Sequence, residues 1–216
     1  MIKCINDGAC QIEAGDYRGA IVSLSTMALN SFKASMEVEH VQQAIEYSFD
    51  LDLLMTEGPV DKKERSTTDT DHMTYSRPIH IPERLAHESG FDAQVVFSAV
   101  AIFNLALAHH LGGMEDTPSS TNLLKKAAKL YRFGVNIQGQ GSYGIIFFLA
   151  TLNNLGEVHK RLGQFLKSEQ HFKQLLSTLM FLTASGEQVS SSELELFFKS
   201  TFFLVSPTHV NAAAAA

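Results

Sequence analysis

Two cysteines in 216 residues leave little for cysteine chemistry to do. Cys4 and Cys10 fit neither the close pairs of a zinc site nor a redox CxxC. They read as reduced, buried thiols of an intracellular protein. A basic surface is also missing. The 17 lysines and arginines are scattered and outnumbered by 23 acids, for a net charge of −6. Nothing is set aside to neutralise phosphates, so nucleic acid is not an expected partner. The first nine residues hold a lysine and an aspartate instead of an apolar run, so no signal peptide is expected and the location reads as cytoplasmic, with the nucleus left open. The apolar run over residues 95–111 is short for a membrane span and carries Ser98, Asn104, His109 and His110. It predicts a helix buried on nearly all sides, with no membrane partner, because those polar groups are costly in lipid.

Catalytic signatures are absent too. There is no HExxH and no GxSxG, and neither cysteine has a histidine beside it in sequence. A single GxGxxG at residues 139–144 falls between two predicted helices, where the strand that phosphate binding needs before it is lacking. His109 and His110 are adjacent, so they face different sides of a helix. His72, His80 and His87 lie near Asp69, Asp71 and Glu83 in a polar stretch that reads as a solvated loop more readily than as a metal site. The hydroxyl-rich run 66–71 offers phosphate acceptors, against the plainer reading of a loop in water. No enzyme activity, cofactor or metal is expected.

What the chain does have is helical spacing. With 45% hydrophobic residues it can bury the core of one domain, 1–216. Ile2, Ile5, Ala9 and Ile12 predict a first helix; Gly15-Asp16 breaks it; Ala20, Ile21, Leu24 and Met27 predict a second. The stretch 56–76 lacks the apolar content to order itself and reads as a mobile loop. Residues 75–83, YSRPIHIPE, are different: two prolines enforce an extended path, and Ile79 and Ile81 alternate with His80. Helices follow over about 92–111, 121–138, 143–162, 165–183 and 192–205.

The helices pair into three hairpins whose residues align. The first aligns Asn6, Gly8, Gly15, Tyr17, Ala20, Leu24 and Met27; the second Asn104, Ala106, His109, Gly113, Ala127 and Tyr131; the third Asn154, Gly156, His159, Gly163, Phe165, Ser168, Phe172 and Leu175. Gly8, Gly156, Ala20, Ser168 and Ala127 are the small residues that let paired helices approach closely. This pattern resembles the tetratricopeptide repeat, whose unit reads NLG..Y...G.Y..A...F..A. The third copy matches well, the first nearly so, and the second carries additions in its turn and after it. His109 and His159 stand where the repeat usually has tyrosine. The early aromatic of the first helix and the closing proline of the second are missing from all copies.

The resemblance implies an all-α fold: a short α-solenoid of about three hairpins (1–36, 92–138 and 143–184), a long insertion over 37–91 and a capping helix over 190–206. It also implies a concave face, lined by the first helix of each pair, that holds an extended or helical peptide. Mapped by repeat position, that face offers Ile2, Ile5, Ala9, Ile12 and Glu13, then Phe103, Leu107 and His110, then Asn153, Glu157, Lys160 and Arg161. Ile5 and Ala9 occupy the slots where the family's carboxylate clamp carries Lys and Asn, so a chaperone tail is not the expected occupant. Asn153, Glu157, Lys160 and Arg161 are the expected polar contacts to a protein or peptide partner, with Phe103, Leu107 and His110 beside them. Residues 75–83 are expected to lie in or beside this face, because Ile79 and Ile81 need cover. The leading reading is a protein-binding scaffold. One alternative is a ligand carrier, metal-binding protein or enzyme using His80, His109 or His110 in a pocket between insertion and helices. Another is a structural subunit that forms a homodimer through its phenylalanine-rich C-terminal helix.

Overall fold

The computed structural model describes residues 1–36, 74–82, 91–115, 117–138, 144–185 and 191–205. Among them are seven α-helices and no strand. In chain order they are α1 (Ile2–Glu13), α2 (Tyr17–Met36), α3 (Phe91–Gly113), α4 (Ser120–Gln138), α5 (Ile145–Arg161), α6 (Phe165–Ser185) and α7 (Ser191–Val205). The loop expected over 56–76 falls outside the described residues except for its last three, 74–76, and so do the 66–71 hydroxyl run, His72, His87, Asp69, Asp71 and Glu83.

Local chemistry sets the helix ends. Gly15 takes a φ of 79° and Gly163 one of 71°, the left-handed conformation that closes a helix without a Cβ penalty. At the first, the amides of Gly15 and Asp16 donate to the carbonyls of Ile12 (3.0 Å) and Gln11 (2.8 Å). At the second, Gly163 and Gln164 donate to Lys160 (3.0 Å) and His159 (2.8 Å) in the same pattern. Asp16 then starts α2 by accepting the Gly19 amide on Oδ1 at 2.9 Å, satisfying a donor that the helix itself cannot. The α3–α4 turn is built otherwise, with Ser120 Oγ accepting the Thr117 amide at 2.8 Å.

Each helix packs on the next in chain order; α1 also touches α3, and α7 reaches back to α5. The stripe Ile5, Gly8, Ala9 and Ile12 is the buried side of α1. Residues 96–110 of α3 are buried without a break. The window Val96–Gly113 is long and apolar enough to cross a membrane, yet 94% of it is covered by the protein itself. α1, α2 and α4 all lie against it, which explains why it shows no polar face.

Hairpin packing repeats in detail. A Cβ on Gly8 would fall 2.5 Å from Leu24 Cγ, and one on Gly156 would fall 2.8 Å from Phe172 Cε2. These are the same aligned positions in the first and third hairpins: the missing side chain of one helix is the hole that receives the other helix's knob.

One expectation needs correcting. The cysteines were expected to be buried, but Cys4 is half-buried and Cys10 is exposed. At 100° per residue Cys10 falls on the side of α1 away from the Ile5–Ile12 stripe, whereas Cys4 borders that stripe and directs its thiol to the Ser23 carbonyl at 3.2 Å.

Gly156→Ala gains about 1 kcal/mol of helix propensity but overpacks against the fully buried Phe172 ring at a cost of about 1–3 kcal/mol. A net loss is expected, and thermal unfolding should read it as a lower Tm, by up to several degrees. An unchanged or raised Tm would show that the ring can withdraw.

Candidate functional site

The non-helical segment 74–82 lies along α1, α3 and α5, and three asparagines hold it there by its backbone. Asn6 Oδ1 accepts the Ile81 amide at 2.8 Å while Asn6 Nδ2 donates to the Ile81 carbonyl at 2.8 Å. Asn104 makes the same pair with Ile79, both bonds 2.8 Å. Asn154 makes it with Tyr75, at 2.8 Å to the amide and 2.9 Å to the carbonyl. A carboxamide offers one acceptor and one pair of donors, so it can satisfy both backbone groups of one residue, as a neighbouring strand does. Asn104 and Asn154 are fully buried, where an unpaired carboxamide is costly.

The register follows from chain geometry. In an extended chain, alternate residues direct their N–H and C=O to the same edge. Residues 75, 79 and 81 share that parity. Pro78 and Pro82 have the other, so the donors that proline lacks belong to the edge facing away from the asparagines. The prolines also restrict Arg77 and Ile81, which precede them, to extended conformations. Arg77 has the bonded parity but is exposed. The segment runs from α5 at Tyr75 to α1 at Ile81, opposite to the order of the helices.

Side chains add an apolar anchor at each end. Tyr75, Ile79 and Ile81 are all buried. The Tyr75 ring stacks on Phe197 of α7 (centroids 5.8 Å apart, planes at 14°) and meets Phe103 of α3 edge-on at 6.4 Å. Phe103 in turn contacts Tyr131 and Phe147 at 6.0 and 5.3 Å, so rings from α3, α4, α5 and α7 converge beneath the segment's start. Asn154 Nδ2 also donates to the Tyr131 hydroxyl at 3.1 Å, and burial holds that phenol protonated far above its usual range, an effect the Asn154 bond partly opposes. On α1, His80 Nε2 lies 2.8 Å from Glu13 Oε1.

The residues expected to contact a partner fall into two groups. Phe103, Leu107 and His110 on α3 are buried, and Phe103 touches the segment through Tyr75. On α5, Asn153 and Glu157 are buried, Lys160 is half-buried and Arg161 is exposed, with its Nε 3.1 Å from Glu157 Oε1. The three asparagines that hold the segment occupy aligned positions of the three hairpins, and the repeat pattern alone assigns them no contact. The signal that could have found them is a poor helix-interior residue recurring at one position in all three copies, where packing alone has no use for a carboxamide.

Burial favours the neutral form of His109, His110, His159 and His171. Burial, with the Arg161 charge adding to it, lowers His110 to about 3, and burial with Lys126 lowers His109 to about 4. Neither His110 ring nitrogen has a hydrogen-bond partner among the described residues; the ring stands edge-on to Tyr131 with centroids 6.0 Å apart. His159 donates from Nδ1 to Gln164 Oε1 (2.8 Å) and stacks on His171 at 5.3 Å. Burial lowers His171 to about 4, with the charges of His159 and Arg132 acting in the same sense.

No protein-family model matches the chain, and neither the curated proteins nor the solved structures include a significant match to it.

Two outcomes follow. Asn104→Ala leaves the buried Ile79 amide and carbonyl without partners, at about 1–3 kcal/mol for each orphaned group. Hydrogen exchange at the Ile79 amide should accelerate by at least about tenfold, and unchanged protection would show the segment is held by its side chains alone. His109 and His110 give a pH dependence of defined sign. Their folded pKa values lie below the unfolded value of 6.5, so their contribution is complete above pH 6.5 and is lost as pH falls toward 4 and then 3. Each proton refused by the fold costs about 1.4 kcal/mol per pH unit in that window. Urea midpoints at pH 7.5 and pH 5 should differ accordingly, and His110→Leu should flatten the slope.

Proposed function

We propose that the chain is a non-enzymatic peptide-binding module: an α-solenoid of tetratricopeptide-like hairpins with α7 as its cap, in which α1, α3 and α5 line a groove for an extended peptide. The observation that carries this reading is the row Asn6, Asn104 and Asn154, each bonding both backbone groups of one residue in an extended chain. Such bonds are indifferent to side chains. Selectivity comes from the ring-lined site under Tyr75 and the aliphatic sites under Ile79 and Ile81. A partner segment would therefore carry an aromatic residue, an aliphatic one four positions later and another two beyond that. Prolines would be allowed between them at the unbonded parity.

Residues 74–82 are then a tethered occupant. A tether supplies an effective concentration on the order of millimolar, so a partner peptide must bind the open groove more tightly than the segment does, or be locally abundant, to displace it. The functional event is exchange of one extended chain for another.

The test uses a full chain in which Tyr75→Ala, Ile79→Asp and Ile81→Asp weaken the tethered segment. A labelled synthetic peptide of residues 74–82 should bind this chain and bind the parent chain at least about tenfold more weakly. Adding Asn104→Ala should abolish binding to the weakened chain. A weakened chain that keeps its helical circular dichroism yet ignores the peptide would sink the proposal. So would one that loses its helicity and does not recover it when peptide is added, since the segment would then be an irreplaceable part of the core.

A further inference from the structure

We propose that Cys10, Glu13 and His80 form a zinc site that clasps the tethered segment onto α1. Their ligand atoms, one thiol sulfur, one carboxylate oxygen and one imidazole nitrogen, all lie within 4.8 Å of one another. In tetrahedral zinc sites, ordinary bond lengths put ligand atoms about 3.3–3.8 Å apart. Rotamer changes at an exposed Cys10 and an exposed Glu13 cover that difference without moving the backbone.

Pre-organisation distinguishes this cluster from a chance meeting of surface groups. Cys10 and Glu13 are three apart on α1 and so share one helix face. His80 is placed by its neighbours: Ile79 is held by Asn104 and Ile81 by Asn6, each through two bonds, so the backbone on both sides of the imidazole is fixed. His80 Nε2 already lies 2.8 Å from Glu13 Oε1, a hydrogen-bond contact that opens by about 0.5 Å when the two share a metal. Cys10 is the one cysteine whose thiol is exposed.

The donor set selects the metal. Thiolate with imidazole favours zinc over magnesium or calcium, which take oxygen ligands. On binding, the Cys10 thiol loses its proton to water and the sulfur, the neutral imidazole and the ionised carboxylate each give a lone pair. The two anionic ligands balance the dication. Three protein ligands leave a fourth position for water or an incoming donor. Because the ligands come from both α1 and the segment, metal binding and segment occupancy favour each other. This coupling rests on the groove reading above; metal affinity at the cluster does not.

Zinc is titrated into the reduced full chain against a chromophoric chelator, and cobalt is used as a spectroscopic substitute. One equivalent should bind and release a proton, and cobalt should show a thiolate charge-transfer band. Cys10→Ser, His80→Ala and Glu13→Gln should each weaken binding by at least about tenfold, and Cys4→Ser should leave it unchanged. All four lie outside the buried core, and helical circular dichroism checks that each variant folds. Absence of stoichiometric binding would overturn the site, as would binding that survives His80→Ala. The coupling is read separately, as the concentration of a 74–82 peptide with alanine in place of His80 needed to speed hydrogen exchange at the full chain's own Ile79 amide, with zinc and with chelator. A several-fold rise with zinc supports the clasp. Equal values with zinc bound would overturn it and leave the metal site standing, whereas failure of the peptide to exchange in either state would count against the groove.

Discussion

A side-chain carboxamide that bonds the amide and the carbonyl of one residue is the interaction on which the rest of the arrangement turns. It occurs three times, once from each of α1, α3 and α5, always toward the same edge of the 74–82 segment. At about 1 kcal/mol net per bond, the six bonds add a modest stabilisation. Their larger weight lies in what happens without them. Asn104 and Asn154 are sealed from water, and the backbone groups they bond are sealed with them. Neither side tolerates the other's departure unless something equivalent takes its place.

This constraint explains why the helices are built as they are. The three asparagines can form one row only if the helices carrying them lie side by side, and that requires the intervening helices to pack closely. Gly8 against Leu24 and Gly156 against Phe172 are the contacts that make close packing possible. The turns at Gly15 and Gly163 return the chain within three residues, so α2 and α6 stay tight against their partners. The aromatic cluster under Tyr75 ties α3, α4, α5 and α7 to the start of the segment. Packing in the hairpins and recognition of the extended chain are two levels of one design, connected through the register of the helices.

Much of the architecture was legible in the sequence. Apolar spacing and the Gly15-Asp16 break located the helices because those signals are local: a left-handed glycine and a cap act within five residues. The alternation Ile79, His80, Ile81 between prolines disclosed an extended chain for the same reason. The asparagines were harder. Each bonds to a residue 25 or more positions away, so its role depends on how distant elements meet, and no periodicity within a helix reveals it. Glu157, Lys160 and Arg161 stand out in one helix by their charge and Asn153 by its polarity, whereas Asn154 beside them makes the bonds to the segment. The Cys10 thiol was misplaced because free cysteine is usually buried, and that habit outweighed a helical phase that pointed outward.

The prolines of the segment have a consequence on its other side. An extended chain laid along a protein surface exposes a second row of backbone donors, and such a row can recruit further strands one after another. At positions 78 and 82 that row has no hydrogen to offer. Two gaps in that row of donors disfavour a second strand and the sheet growth that would follow it.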